Sequence, residues 1–208
     1  VRTFTDTNAT ILGNLVTETG GDTTFPTGVL SVAGSFTNNA EFNANSGTVR
    51  FNSTGGSETI DAGDSSFATL EFNSATGNFT VTENATATVA INLTNVQLFT
   101  LTSGKILSSQ GTFTHAANGA NTTWTGSTLR LLSGTTVNLN AKTHGGDVYG
   151  TLEAASSTLA KMWNSSATTY VTSGTTGAIY SQDHSAVDGD LYIFGNYSRT
   201  SGTEYWSY

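Results

Sequence analysis

Short runs in which apolar and polar residues alternate recur along the whole chain. Val29-Leu30-Ser31-Val32, Thr48-Val49-Arg50-Phe51 and Phe79-Thr80-Val81-Thr82 are three of them. Runs of this length, separated about every 8–12 positions by Gly, Asn or Asp, are the usual signal of β-strands joined by turns. The pattern therefore predicts an all-β fold.

One stretch of this pattern, residues 30–52, is repeated. Its copies begin at Leu30, Leu107 and Leu191, so successive copies start roughly 80 residues apart. We interpret 28–104 as repeat copy 1, 105–190 as copy 2 and 191–208 as the start of copy 3. Residues 1–27 are then either the end of a preceding repeat or an N-terminal arm that pairs with another subunit.

A finer echo within the copies favours one architecture. A small residue, a hydroxyl or acidic residue and an apolar residue recur at intervals of roughly 40 residues, as Gly34-Ser35-Phe36, Ala68-Thr69-Leu70, Gly111-Thr112-Phe113, Gly150-Thr151-Leu152 and Gly189-Asp190-Leu191. Two turns of about 20 residues each would give this spacing, which predicts a parallel β-helix (β-solenoid) of roughly ten coils, about 50 Å long. The alternative is a pair of tandem antiparallel β-sandwiches with strand exchange.

Composition and charge narrow the function classes. Ser and Thr make up 63 of the 208 residues, only 11% are charged, and the net charge is −8. Seven basic residues do not suit nucleic acid, which binds through Lys and Arg. No apolar run approaches the roughly 20 residues that span a bilayer, so membrane insertion is not expected. A Thr-, Asn- and Gly-rich chain with few lysines favours an extracellular or cell-surface location.

The first copy resembles a known kind of repeat. Gly34-Ser35-Phe36-Thr37-Asn38-Asn39, Asn45-Ser46-Gly47-Thr48-Val49-Arg50-Phe51-Asn52 and Glu58-Thr59-Ile60-Asp61-Ala62-Gly63 are similar to the repeats of adhesin-like, filamentous-haemagglutinin-like β-solenoid surface proteins of bacteria and archaea. The second copy matches less closely, with Val137-Asn138-Leu139 in place of the threonine-isoleucine strand. The resemblance implies a structural or adhesive role at the cell surface, and it brings no catalytic residues.

Two groups of residues are candidates for binding. Asp183, Asp188 and Asp190 form the densest acidic group, and their carboxylates could hold Ca²⁺, although we favour a plain acidic turn. The C-terminal end is rich in aromatic residues, which either bind a glycan or protein or fill the core of the solenoid. These are Tyr192, Tyr197, Tyr205, Trp206 and Tyr208.

Catalysis has weaker support. Glu71 and Glu153 occupy equivalent repeat positions, which indicates a structural slot rather than the paired carboxylates of a glycosidase. Arg50 and Arg130 are equivalent in the same way, and we expect their stems to cover a coil edge. Ice binding would need a strict Thr-X-Thr column on one face, and the coils vary too much in sequence for us to expect one.

The sequence as a whole predicts no enzymatic activity. We expect a structural segment of an extracellular fibre or large adhesin that self-associates, end to end or as part of a longer repeat chain. A carbohydrate-binding module that uses the aromatic end is the first alternative, and a β-helix polysaccharide lyase or hydrolase is the second.

Overall fold

The fold is taken from a computed structural model. It describes residues 2–63, 65–117, 121–132, 137–139, 147–154, 163–165, 169–176, 191–193 and 197–199. Side chains are described within 2–63, 65–117, 121–132, 149–151 and at 153. Every pairing between the strands of these residues is parallel.

The strands are short at first and longer near the middle of the chain. The first nine are β1 (Arg2–Thr3), β2 (Ala9–Ile11), β3 (Leu15–Thr17), β4 (Thr23–Thr24), β5 (Val29–Val32), β6 (Phe36–Asn38), β7 (Phe42–Asn43), β8 (Thr48–Phe51) and β9 (Ser57–Asp61). The next six are β10 (Ser66–Val81), β11 (Ala85–Leu101), β12 (Ile106–Ser109), β13 (Thr112–His115), β14 (Thr122–Thr123) and β15 (Thr128–Leu131). The remaining described strands are β16 (Val137–Leu139), β17 (Asp147–Ala154), β18 (Trp163–Ser165), β19 (Thr169–Thr176), β20 (Leu191–Ile193) and β21 (Tyr197–Arg199).

These strands wind into coils that have three faces. The first face contains β2, β5, β8, residues 69–72 of β10, residues 90–93 of β11, β13, β16 and β18. The second contains β3, β6, β9, residues 78–81 and 98–101, β14, residues 147–149 and 169–171, and β20. The third contains β1, β4, β7, residues 66–67 and 85–87, β12, β15, residues 151–154 and 173–176, and β21.

The pairing register gives the length of a coil. Ala9 pairs with Leu30, Thr48 with Thr69 and Ala90 with Thr112, so each coil takes up roughly 21 residues. The predicted parallel β-solenoid with short turns of this length is thus confirmed, and the antiparallel sandwich alternative is wrong. Residues 2–132, which are described almost without a gap, make about six turns, and the predicted count of roughly ten coils for the whole chain is not confirmed.

The core is a set of apolar columns that run along the axis. On the first face, alternate residues point inward and stack from coil to coil, as in the column Leu30, Val49, Leu70, Ile91 and Phe113. Phenylalanine rings fill the space between the faces. The ring of Phe72 lies 5.4 Å from that of Phe51, 5.5 Å from Phe79 and 5.1 Å from Phe99, all buried. Such aromatic packing adds to the free energy gained from burial alone.

The corners between faces require small residues, which explains the echo seen in the sequence. A Cβ atom added to Gly111 would lie 1.8 Å from the carbonyl oxygen of Val89. One added to Gly150 would lie 2.2 Å from the carbonyl oxygen of Trp124. The glycines of these triplets therefore lie where the backbone passes close to the coil below. Phe36, Leu70 and Phe113, the apolar residues of three triplets, are buried in the core.

The three repeat copies do not begin on the same face. Leu30 lies on the first face, Leu107 pairs with Ala85 and Leu129 on the third, and Leu191 pairs with Thr169 on the second. β10 and β11 each bend through all three faces, so each contributes three strand segments. When these segments are counted separately, β12 is the eleventh strand after β5. The first repeat is therefore one strand short of four complete coils.

Within the described residues, no helix is long and apolar enough to cross a membrane.

Candidate interaction surfaces

Within the described residues, one edge of the first coil has no strand beside it, and we call this the open edge. Among the described pairings, β1, β2 and β3 each join only one neighbour, in the second coil. Leu15 donates its N–H to Ser35, and Thr17 accepts from the N–H of Asn39. Because the residues of a parallel strand bond alternately to its two sides, the N–H and C=O of the intervening Val16 point away from the second coil.

The same alternation places two more residues at this edge. Ile11 accepts from Ala33, so the backbone of its neighbour Thr10 points outward. Arg2 and Phe4 donate to the second coil, so the backbone of Thr3 points outward as well. Each of the three strands thus presents one central N–H and one C=O with the spacing that a further parallel strand would need.

The apolar core reaches this open edge. The ring of Phe4 packs edge-on against the buried Phe25, with 6.2 Å between centroids. Phe4 also lines a shallow hollow together with Arg2, Leu15, Val16 and other residues of the first coil. Leu12 and Val16 are 86% and 43% exposed. Apolar side chains beside unpaired backbone groups are typical of a surface that another chain segment covers.

Ion pairs connect neighbouring coils on two faces. Arg50 Nε lies 2.7 Å from Glu71 Oε2 on the first face, and Arg130 Nε lies 2.8 Å from Glu153 Oε2 on the third. In each case the two residues are directly in register on adjacent strands. The expectation that Glu71 and Glu153 fill a structural slot agrees with this arrangement. The two arginines form ion pairs with these glutamates, which the sequence did not predict.

Both oxygens of the Glu71 carboxylate accept hydrogen bonds. Oε2 accepts from Arg50, and Oε1 accepts from Asn73 Nδ2 at 3.0 Å and from Thr94 Oγ1 at 3.4 Å. Glu71 and Glu153 lie on different faces and hence do not form the pair of carboxylates that glycoside hydrolysis requires.

A buried cluster of His115, Trp124 and Tyr149 was not foreseen from the sequence. His115 Nδ1 lies 2.7 Å from the hydroxyl oxygen of Tyr149, and the Trp124 and Tyr149 rings are 5.0 Å apart. All three side chains are at most 1% exposed, so solvent does not reach them. The register of the strands could have revealed the burial of His115, because His115 continues the inward column that contains Phe72 and Leu93.

A regular array of threonines covers part of the second face. Thr59, Thr80, Thr100 and Thr123 lie in register on four successive coils. One threonine column is thus present, whereas the neighbouring outward column contains Asp61, so the face is not the strict Thr-X-Thr column that ice binding would need. We call the outward side of the second face, from β3 in the first coil to β14 in the sixth, the threonine face. Its residues are Val16, Thr37, Ser57, Thr59, Asp61, Asn78, Thr80, Thr82, Leu98, Thr100, Thr102 and Thr123.

Most of the residues predicted to bind ligands lie outside the described residues. This holds for Asp183, Asp188 and Asp190, and for Tyr205, Trp206 and Tyr208. Tyr192 and Tyr197 are in β20 and β21, on the second and third faces. The calcium site and the aromatic binding site remain predictions. Within the described residues, no three His, Cys, Asp or Glu side chains group as metal ligands would.

Comparison with family models, with curated proteins and with solved structures gives no match for this chain. The resemblance to adhesin-like repeats therefore stays a prediction from the sequence.

Proposed function

We propose that this chain is a non-enzymatic structural segment of an extracellular fibre or large cell-surface adhesin, and that copies of it stack end to end. The observation that carries the proposal is the open edge of the first coil, where Thr3, Thr10 and Val16 present unpaired backbone groups beside exposed apolar side chains. A strand edge of this kind adds further strands through main-chain hydrogen bonds.

The interior of the solenoid supports the same role. Its core is continuous from Phe4 to Tyr149, and its outward ion pairs join one coil to the next. Each coil contacts only its neighbours, so stability grows as coils are added. A rod of this construction provides length and rigidity at the cell surface without needing a ligand.

A single substitution tests end-to-end stacking. Replacing Thr10 with proline removes an N–H that points away from the second coil, so the hydrogen bonds within the chain stay intact, and edge strands tolerate proline. We expect wild-type protein to form rods longer than one molecule in negative-stain microscopy, and the Thr10→Pro variant to form single particles.

The matched control is Thr10→Val, which changes the same side chain but keeps the N–H, and it should assemble like the wild type. Circular dichroism would establish that both variants are folded. The proposal fails if wild-type protein remains as single particles at high concentration, or if the proline variant assembles normally.

A further inference from the structure

Two exposed apolar side chains lie on the threonine face. Among the described residues, the large apolar side chains that are exposed are Leu12, Val16, Val89 and Leu98. Val16 and Leu98 belong to the threonine face, and Leu12 lies at the corner that leads into it. Val16 and Leu98 lie on the first and fifth coils, so the face combines its threonines with an exposed apolar side chain near each end.

The threonine face is also nearly free of charge. Of its twelve residues, Asp61 alone is charged, and its Oδ1 accepts a hydrogen bond from the N–H of Gly63. Glu58, which lies between two of them on β9, is half-buried, and its carboxylate accepts hydrogen bonds from the hydroxyls of Ser35 and Ser53. The first face carries Arg50 and Glu71, and the third carries Arg130 and Glu153. Two copies of a chain with a net charge of −8 repel each other, so contact between them is least opposed where charge is absent.

We propose that the threonine face binds the threonine face of a second copy of this chain, side by side. This contact goes beyond end-to-end stacking, because it uses the outward side chains of the sheet rather than its open edge. Within a column, one side chain follows another once per coil, about every 4.8 Å. A second copy has the same spacing, so its side chains fit between those of the first copy along the whole length of the contact.

The face is suited to form such a contact with little loss of entropy. Threonine is branched at Cβ, so its χ1 rotamers are already restricted before binding. The hydroxyl of Thr82 is held further by a hydrogen bond of 3.3 Å to the carbonyl oxygen of Ile60. Restricted side chains cost less to immobilise in an interface than lysine or glutamate would.

The size of the face sets the expected affinity. Five coil spacings along the axis and three columns across it cover roughly 450 Å² per copy. This is about half the area of a standard interface, so single copies should dimerise weakly. Salt should strengthen the dimer by screening the repulsion between two acidic chains.

Sedimentation equilibrium over a wide range of protein concentrations tests the contact. The measurements are made in the Thr10→Pro background, which removes end-to-end association without altering the threonine face. Thr100→Glu places a carboxylate in the middle of the three columns, twice per dimer, and should raise the dimer dissociation constant at least about tenfold.

Thr114→Glu is the matched control, because Thr114 is a half-buried outward threonine in the middle of the first face. It should leave the dimer unchanged, and circular dichroism would confirm that both variants fold. A monomer at every concentration and salt level would overturn the proposal, as would equal weakening by the two variants. It would also be overturned if the monomer inhibited ice recrystallisation and Thr100→Glu abolished that effect, since the threonine array would then bind ice.

Failure of this contact can be distinguished from failure of end-to-end stacking. If Thr10→Pro has no effect on rod length but Thr100→Glu disrupts the dimer, only the stacking proposal fails. If Thr10→Pro shortens the rods and no dimer forms in its background, only the side-by-side contact fails.

Discussion

At the scale of single residues, the backbone of one coil decides which side chains the next coil accepts. The small residues at the corners are the clearest case, since Gly111 and Gly150 leave no room for a Cβ beside the coil below. Asparagine has a complementary role. Asn8, Asn14 and Asn84 each accept a hydrogen bond from a backbone N–H one coil away, at 2.7 to 2.9 Å. These three asparagines thus connect the turns of one coil to the backbone of the next.

Two glycines allow a direct comparison. Gly111→Ala should destabilise the protein by about 3 kcal/mol or more, because its Cβ would overlap the carbonyl of Val89 and the corner would have to move. Gly13→Ala should be neutral or stabilising by about 0.5 kcal/mol, because its Cβ meets no atom within 4 Å. Urea denaturation of both variants measures the difference, and equal effects would contradict this account of the corners.

Prediction from sequence succeeded with corner residues and failed with buried polar ones. The small-hydroxyl-apolar echo predicted coils of about the observed length because close approach at a corner demands a small residue, although its members enter different faces, Phe36 the second and Phe113 the first. His115 gave no comparable signal, since a histidine next to threonines looks like a surface residue until its neighbours across the coils are known. Its burial depends on Trp124 and Tyr149, which are distant in sequence.

At the scale of the strand, the equivalence of the repeat copies has a physical basis. Ser31, Arg50 and Glu71 follow one another in register on three coils of the first face. Ser108, Arg130 and Glu153 do the same on the third face. The sequence alone showed that the positions were equivalent, but it did not show that arginine and glutamate in one copy pair with each other.

The two ion pairs should differ in strength. Glu71 is 12% exposed and Glu153 is 28% exposed, so water screens the second pair more. A double-mutant cycle with Arg50→Ala and Glu71→Gln should give a coupling free energy of about 1 kcal/mol, and the cycle for Arg130 and Glu153 about half of that. A larger coupling in the second pair would show that exposure does not govern their strength.

At the scale of the whole molecule, sequence periodicity predicted the architecture better than the number of coils. The parallel coils and their length follow from the echo, whereas the total depends on how the later, divergent part of the chain is arranged. The threonine face could not be predicted, because the spacing between its column members varies from coil to coil and they fall in register only after the turns are placed.

Hydrogen exchange would detect the open edge in the intact protein. Amides of Thr3, Thr10 and Val16 should exchange quickly in single particles, while those of Leu15 and Phe4, which donate to the second coil, should be protected. Assembly into rods should slow the first three without altering the other two. Rapid exchange at Thr10 in assembled rods would mean that the edge is not the contact.

The eleven-strand interval has a consequence for any longer array built from these copies. Eleven is not a multiple of three, so each copy begins one face further around the rod than the copy before it. Three copies, or about eleven coils and about 53 Å, are needed before the pattern returns to its starting side. Surface residues that recur in every copy would then follow a helical path around the rod. The same residues would be presented on all three faces, so partners could approach from any direction.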